Sequence, residues 1–183
     1  MTTLNRSLRL LAGLTLLTGF LYPLSVWVAG RRLWPEAAEG QLVRRADRIL
    51  GSALLAQPAR DPRHFWPRPS AGAYATVASG ASQQAWTNAV LARTVAERRA
   101  ALGGAPDLPP DLLTASGSGL DPHLSPAAAR AQLARVAAAR RLDAAQAGAL
   151  AALLERRVEG GQFSPARINV LLLNLELDAR FPE

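Results

Sequence analysis

Between Arg9 and Arg31 the chain carries no charged residue, and the intervening LLAGLTLLTGFLYPLSVWVAG is predominantly apolar. As a helix rising 1.5 Å per residue this run spans about 31 Å, the thickness of a hydrocarbon core of about 30 Å. Tyr22 and Trp27 lie toward its C-terminal end, where amphipathic rings favour the membrane–water interface. Pro23 removes one backbone hydrogen bond and favours a kink in the last turn. The alternative is a cleaved signal peptide, since Val28-Ala29-Gly30 has the small residues of a cleavage site, but the run exceeds the ~7–15 residues of a signal core. The expectation is therefore a short tail (1–9), an uncleaved transmembrane helix (10–30) and a single soluble domain (31–183). Arg6 and Arg9 precede the span, whereas Arg31, Arg32, Arg44, Arg45 and Arg48 follow it. Arginine counting alone would keep the domain in the cytoplasm, but the rule weakens for long domains, so charge leaves the side open.

The soluble part is long enough to bury roughly two-thirds of its surface on folding without disulfide staples. No cysteine is present, which removes thiolate metal sites and cysteine nucleophiles. All 21 basic residues are arginine, which removes a lysine nucleophile or Schiff base. The net charge of +7 raises the question of nucleic acid. The arginines are spread along the chain and aromatic residues are few, so no nucleic-acid partner is expected.

Apolar runs at Gln41–Val43 and Ile49–Ala56, separated by a polar turn at Arg44–Arg48, predict a β-hairpin. His64 to Ala73 reads as a proline-pinned loop. Val90, Leu91, Val95 and Leu102 fall near helical spacing over Thr87–Leu102, and Gly103-Gly104 stops that helix. A second loop-rich stretch (105–126) surrounds a short apolar turn at Leu112-Leu113. Ser125 with Pro126 predicts a helix running to about Arg141, and Asp143 caps another to about Val158, ended by Gly160-Gly161. Ser164-Pro165 repeats the start signal for a last helix, ARINVLLLNLELDARF, apolar around nearly its whole circumference and hence central. A buried strand at Ile168–Leu173 is the alternative. The fold class expected is α+β with helices dominant.

Thr114 to His123 holds the densest cluster of functional residue types: serine, aspartate and histidine within a few positions. The glycine spacing of a nucleophile elbow fails around both Ser116 and Ser118. Ser116-Gly117-Ser118-Gly119 lacks the closing Gly-Lys-Ser/Thr of a P-loop. The plainer reading is a tight backbone path with Asp121 satisfying loop amides. His64 and His123 are the only histidines and, without cysteine, would need carboxylates across space to bind metal, so no metal site is expected. Trp66 and Arg68 sit with Arg63 and Phe65 in one proline-rich stretch, which suits either a protein-contact patch or a core plug.

Several segments together resemble a known family. Tyr22-Pro23, Gly51–Gln57, Arg68-Pro69-Ser70-Ala71, Ser79-Gly80-Ala81-Ser82, Thr87-Asn88, TASGSGLDPHLSP (114–126) and Arg167–Leu171 with Asn174 look, in order, like the C subunit of the Kdp-type potassium-transporting P-type ATPase. TASGSGLDPH is the most specific of them. The chain departs at Ala56, where glycine is usual, and at Gly80-Ala81-Ser82-Gln83, where Gly-Gly-Ser-Asn is usual. Two positions that could use positive φ therefore carry a Cβ.

The resemblance implies a non-catalytic accessory subunit of an ATP-driven potassium uptake complex in the bacterial inner membrane. Its single span would leave the large domain on the outer face. The implied partners are a channel-like potassium-binding subunit, a P-type subunit that hydrolyses ATP and a small membrane subunit, besides the lipid bilayer. ATP and potassium would be handled by the complex, with no cofactor bound by this chain. The family is described as a catalytic chaperone that raises ATP affinity through a glutamine, here Gln132 by position. An outer domain cannot touch cytoplasmic ATP, so such an effect would travel through the complex. The partner-contact candidates are Trp66, Arg68, Ser116, Gly117, Ser118, Gly119, Asp121 and His123, with Gly13, Thr15, Thr18 and Gly19 allowing close helix approach in the membrane. The rival classes are a membrane-anchored hydrolase using Ser118 or His123, and a tethered ligand-sensing domain.

Overall fold

A computed structural model describes residues 2–182 of the chain, which divides into two compact units, one ending at Leu50 and the other beginning at Gly51.

The first unit is led by a helix spanning Thr3–Leu33 and extending past both ends of the charge-free run. Arg6, Arg9, Arg31 and Arg32 thus belong to its flanks, and its middle is long and apolar enough to cross a bilayer. It is built as α1 (Thr3–Leu16), a π-helical turn (Leu17–Leu21) and α2 (Tyr22–Leu33). Pro23 supplies the reason for the wider turn. Its ring has no N–H and would collide with the carbonyl four residues back, and the π turn lies immediately before it. The side chains of Leu11, Leu17, Phe20 and Trp27 are each more than half exposed. The hydroxyls of Ser7, Thr18 and Ser25 each donate to the carbonyl four residues back, at 3.1, 2.7 and 2.7 Å. That leaves these donors satisfied within the helix, as a lipid environment requires. A single turn, α3 (Pro35–Ala38), follows. The hairpin is tighter than expected. Strands β1 (Leu42–Arg45) and β2 (Arg48–Ser52) pair across only Ala46-Asp47, because Ala46 takes the left-handed conformation at φ 51°.

The second unit is the helix-rich α+β domain. Its elements are α4 (Ala89–Ala101), α5 (Pro110–Leu113), β3 (His123–Leu124), α6 (Pro126–Arg130), α7 (Leu133–Ala139), α8 (Ala144–Arg156), β4 (Ile168–Asn169) and α9 (Val170–Arg180). Asn88 caps α4 by accepting from the Val90 amide, and Ser125 caps α6 by accepting from Ala128. Asp143 and Gln146 close a capping box at the start of α8. The core lies where α8 and α9 meet α6 and α7. Leu150, Leu153 and Leu154 turn one face of α8 inward, Val170, Leu173 and Leu177 one face of α9, and Ala128 and Ala129 let α6 approach closely. Phe65 reaches the same core from the proline-rich loop.

Three expectations are corrected. The helix expected to run from Pro126 to about Arg141 is broken at Ala131-Gln132, where the Gln132 amide bonds back three residues to Ala129 and the Gln132 side chain turns inward. The helix ending near Val158 stops at Arg156, and Gly160-Gly161 belong to the following turn. The last helix does not begin at Ser164-Pro165. Glu159 and Arg167 exchange backbone hydrogen bonds at 2.8 Å, and β4 pairs antiparallel with β3, matching Leu124 to Ile168. Asn169 then caps α9, whose buried face is Val170, Leu173 and Leu177, while Leu171, Leu172 and Leu175 are half-buried. Neither Ala56 nor Ala81 takes positive φ, so a Cβ is tolerated at both, whereas Gln83 does so at 55°.

Candidate functional site

The segment from Asp61 to Pro69 has prolines at 62, 67 and 69, which cannot donate to a ladder. Because Phe65 is fully buried, the carbonyls carried inward with it need donors from elsewhere. Side chains provide them. Trp66 Nε1 donates to the carbonyl of Asp61 (3.0 Å), Arg135 to those of Pro62 (2.6 Å) and His64 (3.0 Å), and Arg140 to that of Arg63 (2.7 Å). Asn174 donates to the carbonyl of Phe65 (2.9 Å) and Gln132 to that of Trp66 (3.1 Å). Six consecutive carbonyls, 61 to 66, are thus held by side chains. The two amides also accept in return, Asn174 from the Phe65 amide and Gln132 from the Trp66 amide, both at 2.8 Å. Each behaves as a one-residue strand partner.

Helix geometry supplies this spacing. Gln132, buried at the break before α7, and Arg135 stand one turn apart, as do Asn174 and Asp178 on α9. The Arg135 guanidinium lies 4.0 Å from the centroid of the Trp66 ring and donates to Gln132 Oε1 at 2.6 Å. Burial pushes its pKa down to about 10. The Arg140 side chain, only 4% exposed, pairs with Asp178 and donates to the Phe181 carbonyl at 2.9 Å. His64 Nε2 lies 2.9 Å from an oxygen of the same aspartate. The Arg63 guanidinium and amide hold the Asp61 carboxyl well below the usual carboxylate range.

The second cluster joins Arg68 to the 114–124 loop. Arg68 Nη1 lies 3.4 Å from Asp121, which also accepts from the His123 amide at 3.0 Å. His123 Nδ1 is 3.4 Å from the same carboxylate. Ser116 is buried, and its amide bonds to the Pro69 carbonyl at 3.3 Å. Ser118 Oγ accepts from the Leu120 amide (3.1 Å), and its carbonyl accepts from the Gly80 amide (2.8 Å) and the Ser79 hydroxyl (3.0 Å). Gly119 has φ 68°, and a Cβ there would stand 3.0 Å from the Gly80 carbonyl oxygen, so this position demands glycine. Gly117 and Ser118 form the exposed tip.

The structure therefore brings Trp66 to Gln132, and Arg68 to Asp121 and His123. It does not bring a serine to a histidine: among the described residues neither Ser116 nor Ser118 hydrogen-bonds to His64 or His123. The two histidines attach to different aspartates, 178 and 121. Among the described residues no group of three histidine or carboxylate side chains could hold a metal ion. Sequence reasoning missed Arg135, Arg140 and Asp178. Pairing Gln132 with Arg135, and Asn174 with Asp178, at helical spacing was the available signal.

The chain matches the family model described as KdpC, K+-transporting ATPase, c chain, over residues 4–179. It is 48% identical to the potassium-transporting ATPase KdpC subunit of Rhodospirillum rubrum over 187 residues, covering 98% of this chain and 97% of that one. The subunit of the same name from Sorangium cellulosum is 48% identical, with 96% of each chain covered. That of Methylococcus capsulatus is 47% identical, covering 90% of this chain and 91% of the relative.

Proposed function

The chain belongs to the KdpC family, the c chain of K+-transporting ATPases, and from that membership we propose that it works by binding, bracing the transport complex from the outer side of the membrane. It is a subunit of that complex and not its catalytic unit. The Thr3–Leu33 helix anchors it, with Gly13, Thr15, Thr18 and Gly19 facing partner helices, and the domain lies over a channel-like potassium-binding subunit. The P-type ATP-hydrolysing subunit and a small membrane subunit complete the assembly.

One observation carries this reading: the polar groups that look functional are spent on shaping loops. Both amide atoms of Gln132 bond to the Trp66 backbone, Ser118 Oγ holds Leu120, and Asp121 holds Arg68 and His123. Such groups build a contact surface, with Trp66, Arg68 and the Ser116–His123 loop as its elements. Any influence of Gln132 on nucleotide affinity then passes through the Trp66–Arg135 face and the complex, without direct contact with ATP.

Reconstituting the other subunits with and without this chain tests the role. With it, the assembly should hold together and the apparent KM for ATP should fall; identical assembly and kinetics would refute it. The side is tested with Ser118→Cys, since the chain has no cysteine of its own. An impermeant thiol reagent should modify it in intact cells, and protection until lysis would reverse the topology.

A further inference from the structure

A cleft of about 470 Å³ opens between the proline-rich loop and the C-terminal end of α4. Trp66, Tyr74, Leu102 and Leu112 wall it, and Arg60 and Arg98 stand among them. Its size suits a small molecule with an apolar body. The polar tips of both aromatic walls are already spent. Trp66 Nε1 donates to the Asp61 carbonyl at 3.0 Å, and the Tyr74 hydroxyl to the Arg68 carbonyl at 2.9 Å. What they leave for an occupant is ring surface.

Tyr74 stands there against its own backbone preference. Its φ is 63°, and that of Ala73 before it is 52°, a left-handed turn that a bulky side chain rarely enters. The Ser70 hydroxyl, which accepts from the Tyr74 amide at 2.9 Å, and the Arg68 carbonyl hold it in place. Strain retained in this way is a mark of a functional site.

The two arginines supply the other half of the chemistry. Both lie near enough to Tyr74 to act on its hydroxyl. Arg98 is half-buried, and burial lowers its pKa. The guanidinium's one hydrogen bond among the described residues goes to the Leu113 carbonyl, at 2.7 Å. Arg63, Arg68 and Arg140 each have an aspartate partner, whereas no carboxylate of the described residues pairs with Arg98 or Arg60. Glu97, next to Arg98 in the chain, attracts it only from a distance.

A partly desolvated cation without a counterion gains from an entering anion, and a planar guanidinium matches a carboxylate with two hydrogen bonds. Burying an apolar body against the rings adds to this. A sugar, a nucleotide base or a peptide backbone would give up hydrogen bonds to water that these walls do not replace. We propose that the cleft binds an organic carboxylate with an apolar body, its head held by Arg98 under the field of Arg60 and its body against Trp66, Tyr74 and Leu102. The site does not depend on the subunit reading above.

Equilibrium dialysis of naphthoate against the full-length chain in lipid nanodiscs, with empty discs subtracted, tests this. Saturable binding of one molecule per chain is expected. Neutral naphthalenemethanol should bind about tenfold more weakly, as should naphthoate to Arg98→Gln, each having lost a charge-assisted pair. Arg60→Gln, at an exposed position, should weaken naphthoate about threefold. Ala101→Trp, exposed on the rim, should abolish binding by filling the cleft. Arg141→Gln, which lines a different groove, should leave it unchanged. Equal binding of naphthoate and its neutral analogue overturns the proposal. So does wild-type binding no greater than that of empty discs, or full affinity in Arg60→Gln and Ala101→Trp. Those two surface variants decide the matter even if Arg98→Gln fails to fold, and a negative result leaves the subunit reading standing.

Discussion

The segments 61–66 and 71–88 lie close together in sequence and neither forms an α-helix or a strand, yet they end in opposite states. In the first, six successive carbonyls are held by side chains, that of Asp61 by Trp66 of the same segment and the other five by donors on α7, at its C-terminal cap, on α9 and at the α6–α7 junction, and Phe65 is driven into the core. In the second, a few ties fix the backbone while Val77 and Trp86 stand in water. The difference does not come from the local residues alone. It comes from donors about 70 to 110 positions further along the chain, which reach the first segment and not the second. One segment is therefore part of the folded core, and the other stays at the surface.

The comparison can be broken most forcefully at Arg140. Replacing it with methionine leaves Asp178 and the carbonyls of Arg63 and Phe181 without their cation, so stability should fall by about 3 kcal/mol, Asp178 being only partly buried. Thermal unfolding of the detergent-solubilised chain measures this. Gln132→Leu keeps the volume but strips the Trp66 amide and carbonyl of their partners, with an expected loss of about 2 kcal/mol in the same assay.

Asp61 sharpens the contrast through pH. Its carboxyl pKa is lowered in the folded chain, so its stabilisation is present above an unfolded value of about 3.9 and drains away as pH falls through the folded value. Unfolding temperature measured down the acid limb should therefore drop less steeply for Asp61→Asn than for wild type. The smallest effect belongs to the second segment: Trp86→Ala and Val77→Ala should each change stability by less than about 0.5 kcal/mol, since neither side chain packs on the core.

Much of this was legible in the sequence wherever the signal was local. The apolar run, the Ser125 and Asp143 caps and the glycine stop after α4 depend on a few adjacent residues. The start of α9 was misplaced because Ser164-Pro165 mimics a cap, while the Arg167–Glu159 and Ile168–Leu124 pairings that consume the backbone there are tertiary. The unbroken helix expected through Gln132 failed for a related reason, since the break accompanies an inward side chain whose partners lie 66 residues away. At the candidate site, the pairing of Arg68 with the Asp121 loop and the glycine demand at 119 follow residues picked out from sequence. The arginine donors to the proline loop were not: Arg135 is marked only by its helical spacing from Gln132, and nothing local distinguishes Arg140 from the other arginines of this lysine-free chain.

Affinity isolation of the tagged full-length chain from its own membranes in mild detergent bears most directly on whether its work is binding. Recovery together with an ATP-hydrolysing protein and a potassium-binding membrane protein, in constant proportion, is the predicted result. A chain that comes through the same wash alone, with its folded domain intact, would contradict the account.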